Sequence, residues 1–312
     1  MIRKLYGKVV KGLGGLYETR VIEDGAVRRI ASRAKGVLKR GEEKILIGDN
    51  VKIEIDDSTP DGIVISEVAE RRNSFIRPPI ANLDYLFLVF AAKKPMPVLE
   101  TVDKLVAIAE HNGVMPVIVV TKADLDKARA EELKAIYDAV GIPAFLTSSS
   151  LREGLSDLSE YIAEHIRYGA TAAFAGASGV GKSTLMNALF PELALATADV
   201  SRKIERGRHT TRHVEIFDIG GGDDAGFLAD TPGFSLIDFE RFDFFELEDL
   251  QPAFRELLPY IGKCRYDDCA HVGESAEECA VARAAERGEI QATRLESYRS
   301  IYKVLKSKNP YQ

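Results

Sequence analysis

Cysteine is scarce in this chain of 312 residues: there are three, all between Cys264 and Cys279. That excludes a disulfide framework spread along the fold. Long apolar runs are missing as well. The longest, Tyr85 to Ala92, is far too short to cross a bilayer, which takes about 20 apolar residues. The opening MIRKLYGKVV lacks the apolar stretch of a secretory signal. No internal repeats or low-complexity tracts stand out. Apolar residues make up 46% of the chain, which argues for a folded protein over a disordered one. The expectation is a cytoplasmic protein of two or three domains with no membrane partner.

A strong excess of one charge is also lacking overall, with 42 Lys+Arg against 48 Asp+Glu and a net charge of −6. The distribution is uneven, however. Residues 1–40 hold eleven Lys/Arg and three acids, a surplus of +8, and the remainder carries −14. Net acidity therefore does not exclude a nucleic-acid partner. The basic N-terminal segment is a candidate footprint for a phosphate backbone.

Turn signals divide residues 1–71 into short strands: Gly14-Gly15, Asp24-Gly25, Gly48-Asp49-Asn50 and Pro60-Asp61-Gly62. Candidate strands are 6–11, 16–22, 26–31, 45–47, 51–55 and 62–68. Their number and the basic surface predict a small OB-fold-like barrel, although strand count separates small barrels poorly. The pattern changes over 72–238. Strands at 83–90, 117–120, 144–147, 171–175, 213–218 and 226–229 alternate with helices at 99–112, 125–140, 155–167 and from 182. This is the signature of an α/β domain with a mostly parallel sheet. Residues 239–312 read as a helical segment, with helix over 246–258, a polar loop over 264–279, and helix again over 280–308.

Gly176-Ala177-Ser178-Gly179-Val180-Gly181-Lys182-Ser183 matches the P-loop pattern in full. Glycines let successive backbone N–H groups converge on a polyphosphate without Cβ clashes, and the following helix adds the positive end of its dipole. Lys182 is placed to reach the β- and γ-phosphates and Ser183 to ligate Mg²⁺. A P-loop alone does not choose between ATP and GTP. Thr121-Lys122-Ala123-Asp124, between a strand and a helix, resembles the [NT]-K-x-D element of GTPases. There the Asp carboxylate accepts from guanine N1 and the exocyclic amine, a donor pair that adenine does not offer. Ser148-Ser149, ending the next strand, resembles the loop that backs the base. Asp230-Thr-Pro-Gly233 resembles the D-x-x-G element, with Asp230 behind Mg²⁺ and the Gly233 N–H at the γ-phosphate. In the polar stretch 207–211, Thr210 or Thr211 would complete the Mg²⁺ shell.

The order of these elements is inverted relative to ordinary GTPases, because 121–124 and 148–149 precede 176–183 and 230–233. The domain reads as circularly permuted. Further on, Cys264, Cys269, His271 and Cys279 gather every cysteine and one of five histidines into 16 residues. Such a Cys₃His set suits one tetrahedral structural zinc.

A basic small barrel, a permuted GTPase and a Cys/His segment, in this order, resemble the ribosome small subunit-dependent GTPase A family (RsgA, also called YjeQ or YloQ). The resemblance spans essentially the whole chain. It is carried by Arg72-Asn73, Arg77-Pro78, 121–124, 176–184 with Thr184 closing the loop, 207–211, 230–234 and 264–279. It implies a monomeric GTPase that binds the small ribosomal subunit and its ribosomal RNA late in assembly, and hydrolyses GTP to GDP on it. Phe234 follows the D-x-x-G element where Ras-like enzymes place the water-orienting Gln, so intrinsic hydrolysis is expected to be slow. By the resemblance, His209 takes the water-positioning role. Two features depart from the family pattern: Thr121 replaces the commoner Asn, and the spacer from His271 to Cys279 is about two residues longer. Two other readings stay open, a GTP-gated binding module and, more distantly, a P-loop metabolic kinase.

Overall fold

Strand pairing in the N-terminal segment closes on itself. In the computed structural model, which describes residues 2–36, 38, 44–59, 62–76, 78–191, 193, 214–230 (backbone only at 230) and 246–308, β1 (Ile2–Leu13) pairs antiparallel with β2 (Leu16–Glu23), and β2 with β3 (Ala26–Ala34). β3 runs parallel to β5 (Ile63–Val68). β5 is antiparallel to β4 (Asn50–Asp56), and β4 returns to β1. The five strands form a ring. Gly14-Gly15 and Asp24-Gly25 all take positive φ, the conformation that two-residue hairpin turns require. Along β4, Val51, Ile53 and Ile55 are buried while Lys52 and Glu54 are half-exposed, the period-2 pattern of a strand with one face in a core.

The chain divides into two compact units. One contains Met1–Phe87, Leu155–Gly176 and Lys182–Ser235; the other contains Leu88–Gly154, Ala177–Gly181 and Leu236–Gln312. In the first, the ring continues from β1 through β12 (Glu215–Ile219) and β13 (Gly226–Asp230) to β11 (Thr171–Ala175). β11 and β13 are parallel, and β12 and β13 antiparallel. Two short strands, β6 (Ser74–Phe75) and β7 (Ile80–Ala81), pair with each other. Asn73 makes Arg72-Asn73 an anchor: its side chain donates to Leu83 O at 2.8 Å and accepts from Leu83 N at 2.9 Å. Arg72 pairs with Asp84.

The boundary between the units falls inside β8 (Tyr85–Ala91). The second unit holds the sheet order β10 (Ala144–Leu146), β9 (Met115–Thr121), β8. All of β9 after Met115 is buried, as expected for a strand covered on both faces. α1 (Leu99–His111) precedes β9 and α2 (Lys127–Asp138) follows it. α3 (Leu155–His165) and α4 (Lys182–Leu189) belong to the first unit.

Three sequence-based elements come out differently. Residues 45–47 form no strand; Ile47 makes a single bridge to Ile80, because the Asp49 carboxylate accepts from Leu46 N at 2.7 Å and folds the segment into a side-chain turn. The helix expected over 246–258 is one turn, α5 (Leu247–Leu250), since Pro252 lacks the N–H that would continue it. The helix expected over 280–308 is two, α6 (Ala280–Glu286) and α7 (Ala292–Lys308). Gly288, at φ +74°, ends the first as a left-handed stop.

A buried charge cluster joins the elements of the second unit. Arg294 on α7 and Asp103 on α1 are each 1% exposed and 2.7 Å apart. Arg294 also donates to both carboxylate oxygens of Glu256, at 2.7 and 3.2 Å, and stacks 4.7 Å over the Phe254 ring. Tyr137 on α2 donates to Asp103 at 3.0 Å. Burial opposes the Arg294 charge, yet Asp103 and Glu256 outweigh it and hold the guanidinium charged. Truncating one member strands the other charges in the interior, at a cost of about 3–5 kcal/mol. Arg294→Ala is therefore expected to lower stability by that amount in urea denaturation. Arg255→Ala, which removes a partly exposed pair with Glu110, should cost about 1 kcal/mol or less.

Candidate functional site

Thr121 ends β9 and is buried. Its hydroxyl lies 3.2 Å from Phe90 O and 2.5 Å from Val180 O. The next residue, Lys122, adopts left-handed φ (+53°) and turns the chain. Its ammonium donates to Gly179 O at 2.7 Å and Lys94 O at 2.5 Å. Two consecutive side chains thus clasp the 177–181 segment from the loop after β9. Thr121 serves the clasp with one hydroxyl, which accounts physically for its standing where Asn is commoner.

Ala123–Leu125 forms a single 3₁₀ turn before α2. Asp126 caps α2 by accepting from Arg129 N at 3.2 Å, and Lys93 pairs with it at 3.3 Å. Ala123 N donates to Thr147 O at 3.1 Å, which brings the end of β10 beside the loop. Ser148 and Glu153 exchange backbone hydrogen bonds at 3.0 and 3.1 Å and close a short loop. Gly154 permits the closure: at φ +69° a Cβ would sit 1.9 Å from Leu146 O. Within this loop Ser148 is buried and Ser149 half-buried. Ser150, which the sequence pattern did not single out, places its hydroxyl 3.5 Å from Asp124 Oδ2. That approach is too long to occupy the carboxylate, so Asp124 keeps acceptors for a pair of donors.

The P-loop runs from the end of β11 to the start of α4. Gly176 is buried, Ala177, Ser178 and Gly179 are exposed, and Val180 is buried. Gly181 takes φ +97°, accessible at low cost only to glycine. Lys182 Nζ lies 3.5 Å from Gly176 O. Ser183 and Thr184 are exposed in the first turn of α4. Asp230 ends β13. His209, Thr210, Thr211 and Gly233 lie outside the described residues.

Cys264, Cys269, His271 and Cys279 do come together, with their ligand atoms all within 4.8 Å of one another. His271 Nδ1 is 3.5, 3.3 and 3.3 Å from the sulfurs of Cys264, Cys269 and Cys279, and the Cys264 and Cys279 sulfurs are 3.9 Å apart. A tetrahedral ion with metal–sulfur bonds near 2.3 Å and metal–nitrogen bonds near 2.0 Å requires edges of roughly 3.5–3.8 Å. The donors fit such an ion, and the long spacer before Cys279 is absorbed without moving its sulfur away. Burial pushes the Cys269 thiol up to about 12 and raises Cys279 as well. The protein alone therefore does not favour thiolates here, and a bound cation would. The amide of Gln251 lies 2.7 Å from His271 Nε2. That amide contacts the ring on the side opposite Nδ1, which faces the sulfurs, and so holds the imidazole in place. Gln251 was not legible from spacing, since it precedes the cluster by a full segment.

The basic N-terminal residues are partly matched within their own unit. Arg3 and Arg28 meet Glu23; Arg29 meets Glu18 and Asp218; Lys11 meets Glu215; Arg20 meets Asp218. Arg33 is exposed on β3.

Comparison with known proteins agrees with this layout. A family model described as RsgA GTPase matches residues 68–240, and one described as RsgA N-terminal domain matches residues 6–64. The chain is 36% identical to the small ribosomal subunit biogenesis GTPase RsgA of Bacillus velezensis, covering 97% of this chain and 98% of that protein. It is 38% identical to RsgA 2 of Listeria monocytogenes, covering 98% and 99%. Among solved structures, YjeQ from Thermotoga maritima superposes with a TM-score of 0.78 at 31% identity, covering 97% of this chain and 99% of the other. YloQ, a circularly permuted GTPase, does so with a TM-score of 0.77 at 30% identity, covering 99% and 98%. The fold is accordingly that of a circularly permuted P-loop GTPase with a C-terminal metal-binding cluster.

The metal reading has a direct check. Elemental analysis of the purified chain is expected to find about one zinc per molecule. Cys269→Ser should lose the metal and lower the thermal midpoint. Full stability in chelator together with absence of metal would refute it.

Proposed function

The chain belongs to the RsgA GTPase family, and on that premise we propose that it binds the small ribosomal subunit, assists its late maturation, and hydrolyses GTP to GDP and phosphate when the subunit stimulates it. The observation that carries this reading is the clasp of Thr121 and Lys122 on Val180 and Gly179. It sets a base-reading carboxylate beside a phosphate loop and makes both depend on one set of hydrogen bonds.

The residue roles follow from the chemistry. Thr121, Lys122, Ala123 and Asp124 read guanine, backed by Ser148 and Ser149. Gly176 to Thr184 cradle the phosphates, with Lys182 on the terminal ones. Ser183, with Thr210 or Thr211, would ligate Mg²⁺ with Asp230 behind it, and the Gly233 N–H senses the γ-phosphate. When bound, the Mg²⁺ neutralises charge on the β- and γ-phosphate oxygens. His209 positions the attacking water once the subunit orders the stretch around it. Cys264, Cys269, His271 and Cys279 hold one structural zinc. The five-stranded ring acts as an OB-fold-like RNA-binding barrel over 1–71, followed by the GTPase domain over 72–238 and a helical zinc-binding domain over 239–312. The protein works as a cytoplasmic monomer. No helix among the described residues is long and apolar enough to cross a membrane.

Arg28 and Arg29 already have carboxylate partners, so their reversal would disturb the ring as well as RNA contact. Arg33 is the cleaner site for charge reversal, and its loss should flatten the salt dependence of subunit binding.

Three measurements test the proposal. GTP turnover is expected to be slow alone and to rise about ten-fold or more with purified small subunits; an unstimulated rate discards it. Asp124→Ala should weaken GTP binding by about 100-fold or more while leaving ATP binding equally poor, because only guanine presents the matching donors. His209→Ala should bind GTP normally and lose most of the subunit-stimulated rate. Normal stimulated turnover in that variant would remove His209 from the mechanism.

A further inference from the structure

A cleft of about 440 Å³ opens within the first unit, lined by residues of β1, β2 and β4, the turn after α3 and the turn between β12 and β13. Its size is that of a small-ligand pocket, and it shares no residue with the nucleotide and metal sites described above. Three kinds of side chain meet there. Lys8, Arg20 and Lys52 bring positive charge, Glu67 and Asp223 bring carboxylates, and Tyr6 and Tyr168, 70% and 72% exposed, bring aromatic rings, with the Arg167 guanidinium 4.9 Å from the Tyr168 ring centre.

The cations on the floor are fixed. Lys8 Nζ donates to Thr171 Oγ1 at 2.9 Å and Gly169 O at 3.2 Å, and lies 5.0 Å over the Phe227 ring. Burial lowers its ammonium to about 8, with Asp84 pulling the other way. Arg20 lies 5.3 Å over the same ring, donates to Gly222 O at 2.9 Å, and pairs with Asp218. Lys52 sits 3.3 Å from Glu67 at the rim.

The tyrosines are held out at some cost. Tyr168 takes φ +51°, a left-handed conformation disfavoured for any residue with a Cβ. Glycine would sit there freely, and the ring's contact with Arg167 is an exposed one that contributes about 0.5–1 kcal/mol. Backbone strain at an exposed aromatic beside a cleft points to a use for the ring. Tyr6 projects from β1 just before Gly7, where a Cβ would lie 2.2 Å from Arg20 O, so the strand is held tightly against β2 at the cleft.

The mixture of groups selects the occupant. A bare phosphate would face Glu67 and Asp223 as well as the cations. An apolar ligand would desolvate Lys52, Glu67 and Asp223 and offer them no partner. A nucleotide uses all three groups: its base stacks on an aromatic ring, its edge donates to a carboxylate, and its phosphate meets Lys52. The geometry points to this cleft as a seat for one unpaired nucleotide of ribosomal RNA, its base stacked against Tyr168 and Tyr6. This rests on the RNA-binding reading of the ring given above.

The test uses the full chain and purified small subunits. Tyr168→Gly relieves the left-handed strain and is expected to be at least as stable as the parent in thermal denaturation. It should nevertheless bind subunits about ten-fold more weakly or worse. Tyr168→Phe keeps the ring and should bind like the parent, and basal GTP turnover should be unchanged in both. A photoreactive phenylalanine analogue in place of Tyr6 should cross-link to ribosomal RNA at an unpaired position. If Tyr168→Gly binds as tightly as a parent chain that does bind subunits, the cleft assignment is overturned and the RNA reading stands. Cross-links confined to ribosomal protein overturn it too, in favour of a protein partner. If the parent chain does not bind subunits at all, the underlying reading fails as well.

Discussion

A guanidinium cannot be buried without carboxylates around it, and in the second unit that constraint ties the chain together. Arg294, on α7, is surrounded by Asp103 from α1, Glu256 from the segment after α5, and the rings of Phe254 and Tyr137. α1 and α2 flank β9 in sequence, and β9 carries the Thr121–Asp124 loop, proposed to read the base, at its end. The last helix of the chain is thus fastened to the helices on either side of that loop. An apolar contact would tolerate sliding. A desolvated ion pair with several hydrogen bonds does not, because any displacement leaves charge unpaired at low dielectric.

The same logic governs the base loop at shorter range. Thr121 and Lys122 spend their side chains on Val180 O and Gly179 O, carbonyls that a phosphate-binding turn leaves directed away from its N–H groups. No short connection brings the 121–124 loop to the P-loop, since Lys122 and Gly179 stand 57 positions apart in sequence. Side-chain hydrogen bonds do that work instead. The Thr121–Asp124 loop and the P-loop become parts of one structure, although they arise far apart along the chain.

How much of this was legible beforehand depended on range. The P-loop, the Thr121–Asp124 element and the four metal ligands were visible because their chemistry needs fixed local spacing, and the structure brings the Cys/His set together as spacing implied. Ser150, Lys94 and Gln251 were not visible, because each enters through tertiary approach. Nor was the matching of the basic N-terminal segment by Asp218, which follows Arg20 by 198 residues. The overlong helices at 246–258 and 280–308 had local warnings in Pro252 and Gly288, outweighed by helical spacing of apolar residues. Segment 45–47 was apolar enough for a strand, but a buried Asp49, held by Arg71 at 2.7 Å, took its backbone into a turn.

The scarcity of cysteine acquires a physical meaning at the C-terminal end. Between Gly262 and Glu278 only His271 is buried among the described residues, so this stretch has almost no apolar core of its own. Two things can hold it. One is α7, whose Tyr298 donates to Ala270 O at 3.0 Å and whose Arg299 donates to His271 O at 3.0 Å. The other is the convergence of three sulfurs and one imidazole, which is unfavourable for thiolates without a cation and favourable with one. α7 therefore anchors both the buried charge cluster, through Arg294, and the carbonyls at the metal ligands, four and five residues later.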